Sequence, residues 1–171
     1  MNLNSYYGML APAMESLMLE HNIDKAIKAI QDSSLVITAG NGGSYASASH
    51  FTQDLMKAKG KESICLGDNT SYVLAESNDV SFSTAFIRPF YLHAKKNNVL
   101  FLISGSGNSQ NIVTLAQAAK GYFGTTIVGL IGFDGGELNK LADISVYVPI
   151  KDMRLVESAH SLILHYIIDR M

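Results

Sequence analysis

The chain has 171 residues, 47% of them apolar, and a formal net charge of −2. That length and apolar content suit one globular domain with a sizeable core, and arginine only at Arg88, Arg154 and Arg170 excludes the basic footprint of a nucleic-acid binder. No apolar run approaches the ~20 residues that cross a bilayer and no basic-then-apolar leader opens the chain. The lone cysteine, Cys65 in Ser63-Ile64-Cys65-Leu66, reads as a buried thiol in a reducing compartment, so the expected location is cytoplasmic.

Residues 3–21 carry Leu3, Tyr6, Tyr7, Leu10, Met14, Leu17 and Met18 at helical spacing, with Pro12 kinking the helix or lying near its start. A second short helix over 23–32 presents Ile23, Ala26, Ile27 and Ile30. These faces fit either association between subunits or packing on the chain's own sheet. Leu35-Val36-Ile37-Thr38-Ala39 then reads as a buried strand, Gly40-Asn41-Gly42-Gly43 as a tight turn, and Ser44 as the N-cap of a helix running to about Lys59. Such a turn is either an ordinary strand-to-helix junction or an anion cradle, since free N–H groups and the positive helix end favour an anion there. On that helix His50 and Asp54 stand at i,i+4, one turn apart on one face, a spacing that suits a metal pair, an acid/base pair, or an exposed ion pair. Lys57, Lys59 and Lys61 form the one dense basic group, a solvated helix end or a phosphate-steering patch.

Residues 62–66 read as the next strand, followed by polar loops at Gly67-Asp68-Asn69-Thr70-Ser71 and Glu76-Ser77-Asn78-Asp79. Phe82, Phe86, Phe90 and Leu92 predict a helix over 81–96, bent at Pro89. Residues 99–103 form a second buried strand, and Ser104-Gly105-Ser106-Gly107-Asn108-Ser109 repeats the strand-to-turn-to-helix pattern. The helix that Ser109 opens buries Ile112, Val113, Leu115, Ala116 and Ala119, and ends between Gly121 and Gly124. A strand at 125–131, a turn at Gly132-Phe133-Asp134-Gly135-Gly136, a short helix at 137–142, a strand at 144–148 and a helix at 154–171 complete the chain. The alternation predicts a parallel α/β sheet, in which two glycine–serine turns can converge on one ligand. On the last helix Glu157 and His165 fall two turns apart on one flank with Ser161 between them, and His160 lies on another flank.

These motifs together resemble the sugar isomerase (SIS) domain over nearly the full length. They are Gly40-Asn41-Gly42-Gly43-Ser44 with His50-Phe51 beyond it, Asn78-Asp79, Ser104 to Ser109, Asp134-Gly135-Gly136, and a terminal helix with His160 and His165. Within that superfamily the chain is most similar to phosphoheptose isomerases, which convert sedoheptulose 7-phosphate to an aldoheptose 7-phosphate. The resemblance implies a five-stranded parallel sheet flanked by helices in three layers, N-terminal helices used in oligomerisation, and a homotetramer with active sites at subunit interfaces.

Position by position, the resemblance implies that Ser44, Ser104, Ser106 and Ser109, with the Gly42-Gly43 turn, bind the phosphate. Asn41, Asp68, Asn78 and Asp79 would hold the sugar hydroxyls. His50, Asp54, Glu157 and His165 fall on the positions that bind zinc and carry proton transfer, with Asp54 the candidate base and His165 the candidate acid. Asp54 stands where a glutamate is expected, Glu157 replaces a glutamine, Ala58 an arginine and Gly105 a threonine. Those departures leave a second reading open, a non-catalytic phosphosugar-binding or partner-binding SIS protein such as the relatives that regulate replication initiation.

Overall fold

In the computed structural model, residues 2–15, 17–122 and 124–171 are described; the side chains of Tyr7 and Leu17, two of the expected N-terminal apolar positions, lie outside that description. Five strands, β1 (Leu35–Ala39), β2 (Ser63–Cys65), β3 (Asn98–Ser104), β4 (Thr126–Ile131) and β5 (Ile144–Tyr147), form one sheet in the order β2-β1-β3-β4-β5. Every neighbouring pair is parallel, with Ile37 opposite both Ile64 and Leu100, and Leu102 opposite Gly129. β1 and β3 are buried at every residue, as their unbroken apolar runs require of strands covered on both faces.

Among the described residues eight α-helices cover the sheet: α1 (Leu3–Met14), α2 (Leu17–Asp32), α3 (Gly43–Lys59), α4 (Thr70–Asp79), α5 (Ile87–His93), α6 (Gln110–Ala119), α7 (Gly136–Leu141) and α8 (Met153–Arg170). One face of the sheet presents Val36, Phe101, Val128 and Val146 to Ile23 and Ile27 of α2, Phe51 and Leu55 of α3, and Ile163 and Ile167 of α8. The other presents Leu35, Ile37, Leu100 and Leu102 to Phe86, Phe90, Ile112, Leu115 and Leu138. Alternate residues of each strand therefore feed two cores, giving the three expected layers. A buried hydroxyl pair, Thr38 Oγ1 to Thr52 Oγ1 at 2.7 Å, pins α3 onto β1, and Asn22 of α2 donates to the Ser145 carbonyl of edge strand β5 at 2.8 Å.

Several expectations are corrected. The helix expected over 3–21 stops at Met14, two residues after Pro12, and α2 runs unbroken over the residues expected to hold the end of that helix and the whole of the next. The predicted helix at 81–96 is a 3-10 turn at Phe82–Thr84 followed by the shorter α5, because Phe86 and Phe90 are buried while Phe82 remains half exposed. The polar stretch after β2 is not all loop: Thr70–Asp79 is helical, capped by the Asn69 side chain accepting from the Tyr72 N–H. It buries no residue completely and so carries little apolar signal. Lys61 is not a solvated helix end; its ammonium donates to the Gln31 and Ser33 carbonyls at the close of α2.

Candidate functional site

In a sheet of order 2-1-3-4-5 the chain leaves β1 and β3 in opposite directions, opening a crevice at their carboxyl ends, where ligands of such sheets bind. Both glycine–serine turns sit there. The N-cap of α3 is Gly42, at φ +54, and not the expected Ser44, which is buried inside the first turn. Positive φ costs glycine little and a residue with a β-carbon much more. The first α3 amides that bond back are Tyr45 to Asn41 O and Ala46 to Gly42 O, leaving those of Gly43 and Ser44 as free N-terminal donors. In the second turn Ser104 Oγ accepts the Gly107 N–H at 3.1 Å and Ser106 Oγ accepts the Asn108 N–H at 3.2 Å. A hydroxyl that accepts from the loop keeps its own proton to donate outward.

A third turn braces the second. Gly107, at φ +67, packs directly on the Gly135 carbonyl, leaving no room for a β-carbon. Asn108 Oδ1 accepts the Glu137 N–H at 3.0 Å, and Leu138 donates to the Gly107 carbonyl at 2.9 Å. Between the first two turns lies a cleft of about 250 Å³, closed on its far side by Met153 and Glu157 of α8. Its donors and helix ends suit an oxyanion such as phosphate. We expect Ser106→Ala to weaken inorganic phosphate binding about tenfold, since a hydrogen bond to a charged group is worth about 1.5 kcal/mol or more; an unchanged calorimetric affinity would contradict this.

α3 and α8 pack side by side and run in the same direction from this cleft. A β-carbon on Gly43 would lie 2.5 Å from the Glu157 carboxylate. One turn on, Ser47 Oγ meets Ser161 Oγ at 3.4 Å, and beyond it His50 Nε2 meets His165 Nε2 at 3.3 Å. Asp54 Oδ2 lies 3.2 Å from His50 Nε2. Ligand atoms of His50, Asp54 and His165 all fall within 4.8 Å of one another. Ligands at about 2.05 Å around a tetrahedral ion stand about 3.3 Å apart, so the two separations from His50 Nε2 fit a metal ion held by these side chains. Glu157 does not join this group. Eight residues of helix put it about 12 Å from His165 at 1.5 Å per residue, and its carboxylate rests at the phosphate cleft instead.

The expected sugar contacts divide. Asn41 lines both the cleft and an adjoining apolar pocket formed with Thr70, Val73 and Leu74 of α4. Asp68 Oδ1 accepts from Tyr45 Oη at 3.1 Å and Ser49 Oγ at 2.8 Å, leaving Oδ2 for a ligand. Burial and the Asp68 carboxylate raise the Tyr45 phenol, which stays a donor. Asn78 and Asp79 close the far end of α4, exposed and bonded to each other at 2.8 Å, about 12 Å along the helix from Thr70. Spacing gave no reason to single out Asn111, which is 1% exposed and bonded to Asn41 by both side-chain atoms. The available signal was an amide at i,i+4 with Leu115 on an apolar helix face.

The family pattern for the SIS domain matches residues 9–132. The chain is 36% identical to the phosphoheptose isomerase of Helicobacter hepaticus over 97% of its own length and 89% of that protein. It is 33% identical to the phosphoheptose isomerase of Aliarcobacter butzleri over 92% of this chain and 87% of that one. Its fold superposes on the phosphoheptose isomerase of Neisseria gonorrhoeae with a TM-score of 0.87 at 24% identity, covering 98% of this chain and 92% of that one. With the phosphoheptose isomerase of Francisella tularensis the TM-score is 0.85 at 25% identity, covering 98% and 94%. Sheet order, paired turns at the switch point and identity over nearly the whole length agree: the chain belongs to the SIS-domain family, among the phosphoheptose isomerases.

Proposed function

We propose that the protein interconverts sedoheptulose 7-phosphate and D-glycero-D-manno-heptose 7-phosphate through an enediolate, as a step of heptose biosynthesis for lipopolysaccharide or capsule. The observation that carries this is the layout of α3 and α8, with an anion cleft at their starts and the His50–Asp54–His165 group two turns down the same face. Seven to eight helical residues rise about 10–12 Å. The eight bonds from C1 to phosphorus in an open-chain heptose 7-phosphate span about 10 Å at roughly 1.2 Å per bond. With the phosphate held between the two turns, C1 and C2 therefore reach the histidines.

Isomerisation moves one proton between C1 and C2 and another between their oxygens. The Asp54 side chain, 22% exposed and 3.2 Å from His50 Nε2, is the carbon base. His165 carries the oxygen proton, since an imidazole nitrogen can accept and return one. Zinc held by His50, Asp54 and His165 would instead occupy the His165 Nε2 lone pair and supply charge stabilisation for the enediolate oxygens in place of that proton carrier. Serine hydroxyls and helix-start amides hold the phosphate remote from the reacting carbons, fixing their position. A proton NMR time course with sedoheptulose 7-phosphate tests the proposal; aldose anomeric signals are expected, and none after zinc is added would overturn it.

The protein acts as a homotetramer with sites at subunit interfaces, in the cytoplasm. Supporting this, Leu3, Met9 and Met18 on the N-terminal helices and Leu162 on α8 expose 81%, 51%, 65% and 56% of their surface. Among the described residues no helix is long and apolar enough to cross a membrane. Light scattering should find about four chain masses per particle, and a stable folded monomer at micromolar concentration would refute the assembly.

A further inference from the structure

Asn111 stands in the first turn of α6, behind the Ser104–Ser109 loop, and its side chain bonds to the loop that follows β1. Asn41 Nδ2 donates to Asn111 Oδ1 at 2.7 Å, and Asn111 Nδ2 donates to Asn41 Oδ1 at 2.9 Å. A reciprocal amide pair reads the same if both groups are turned over together, so alone it leaves the orientation of Asn41 undetermined. The Ile112 N–H, shared between the Ser109 carbonyl at 3.0 Å and Asn111 Oδ1 at 3.0 Å, biases the pair toward the orientation that presents the Asn111 oxygen to it. Turned over, Asn111 would set its own NH2 against a backbone donor inside a site that is 1% exposed, where a misplaced donor finds no water. The helix backbone thus orients Asn111, and Asn111 orients Asn41. Asn41 keeps one amide proton and one lone pair, at a position that lines both the phosphate cleft and the adjoining pocket.

We propose that Asn111 is a positioning residue for substrate recognition, fixing which end of the Asn41 amide meets the sugar. The inference rests on the sugar-phosphate reading of the site. It separates the two parts of a ligand, because the sugar contact depends on Asn111 while the phosphate contacts, made by serines and helix starts, do not.

The test compares Asn111→Leu, Asn111→Asp, Asn41→Ala and the double variant Asn41→Ala/Asn111→Leu, using sedoheptulose 7-phosphate and inorganic phosphate as probes. Asn111→Leu removes the reference for Asn41. Asn111→Asp keeps the acceptor for Ile112 but sets an oxygen against Asn41 Oδ1. Each is expected to lower kcat/KM for the sugar phosphate about 30-fold, the scale of a sub-ångström misplacement, while phosphate affinity stays within threefold. In the Asn41→Ala background, Asn111→Leu should change the remaining activity by less than twofold. A role in folding alone predicts instead that phosphate affinity falls in parallel and that the two losses multiply; either result overturns the proposal, as does kcat/KM within threefold of wild type. If Asn111→Leu does not fold, Asn111→Asp carries the same comparison. Should the wild type bind the sugar phosphate without converting it, the isomerase reading fails alone. Asn111 is then judged by the dissociation constant, expected to rise about tenfold for the sugar phosphate relative to inorganic phosphate.

Discussion

Alanine at His50 or at His165 is expected to lower kcat/KM about 10³-fold, in the middle of the range for a positioned acid or base. Each truncation also takes away one of three converging ligand atoms, so elemental analysis should find about one zinc per chain in the wild type and well under one in either variant. The two histidines approach with Nε2 atoms 3.3 Å apart and rings edge-on at 5.3 Å. That approach is within one chain, and an isolated chain therefore already brings the three ligand groups together. His160 is the control. Five residues from His165, it faces the core and is 1% exposed, whereas the His50 side chain is 58% exposed. Changing His160 should leave the metal in place. Retention of more than a tenth of the activity in His50→Ala or His165→Ala, or full metal content in both, would remove the cluster from the mechanism.

Why His50 and Asp54 were legible in the sequence and Glu157 was not follows from what spacing encodes. An i,i+4 pair on one helix meets whatever the helix packs against, and the 3.2 Å contact follows directly. Glu157 and His165 share a flank, but a shared flank says nothing of distance along it, and two turns of helix separate the carboxylate from the imidazoles. That α3 meets α8 is a tertiary fact that the family resemblance supplied and periodicity could not. The same division holds for the fold. β1 and β3 announced themselves because central parallel strands are apolar on both faces, while α4 buries no residue completely and offers the second core only the partly buried Val73. Asn111 escaped notice because its partner lies seventy positions away, and a buried amide in a helix looks like any other polar residue until that partner is found.

Acid should destabilise the protein through His160. Neither of its ring nitrogens completes a hydrogen bond. Burial pushes the imidazole down from 6.5 to about 4, and the nearby Ile131 carbonyl only weakly opposes that shift. Above pH 6.5 the ring is neutral in folded and unfolded chains alike and contributes nothing to the pH dependence. Between 6.5 and 4 the unfolded chain binds the proton and the folded one does not, so stability falls as pH falls; below 4 both are charged and the loss levels off. A displacement of that size corresponds to about 3 kcal/mol at 1.36 kcal/mol per pH unit, most of it reached by pH 4.5. His160→Leu removes two unpaired polar atoms at similar volume and should fold at pH 7.5 with stability within about 1 kcal/mol of wild type. Urea titrations of both proteins at pH 7.5 and pH 4.5 isolate the effect, because every other titrating group is common to the pair. The gap in stability should shift by about 2–3 kcal/mol in favour of His160→Leu at the lower pH, and an unchanged gap would mean that the imidazole is not held neutral in the folded core.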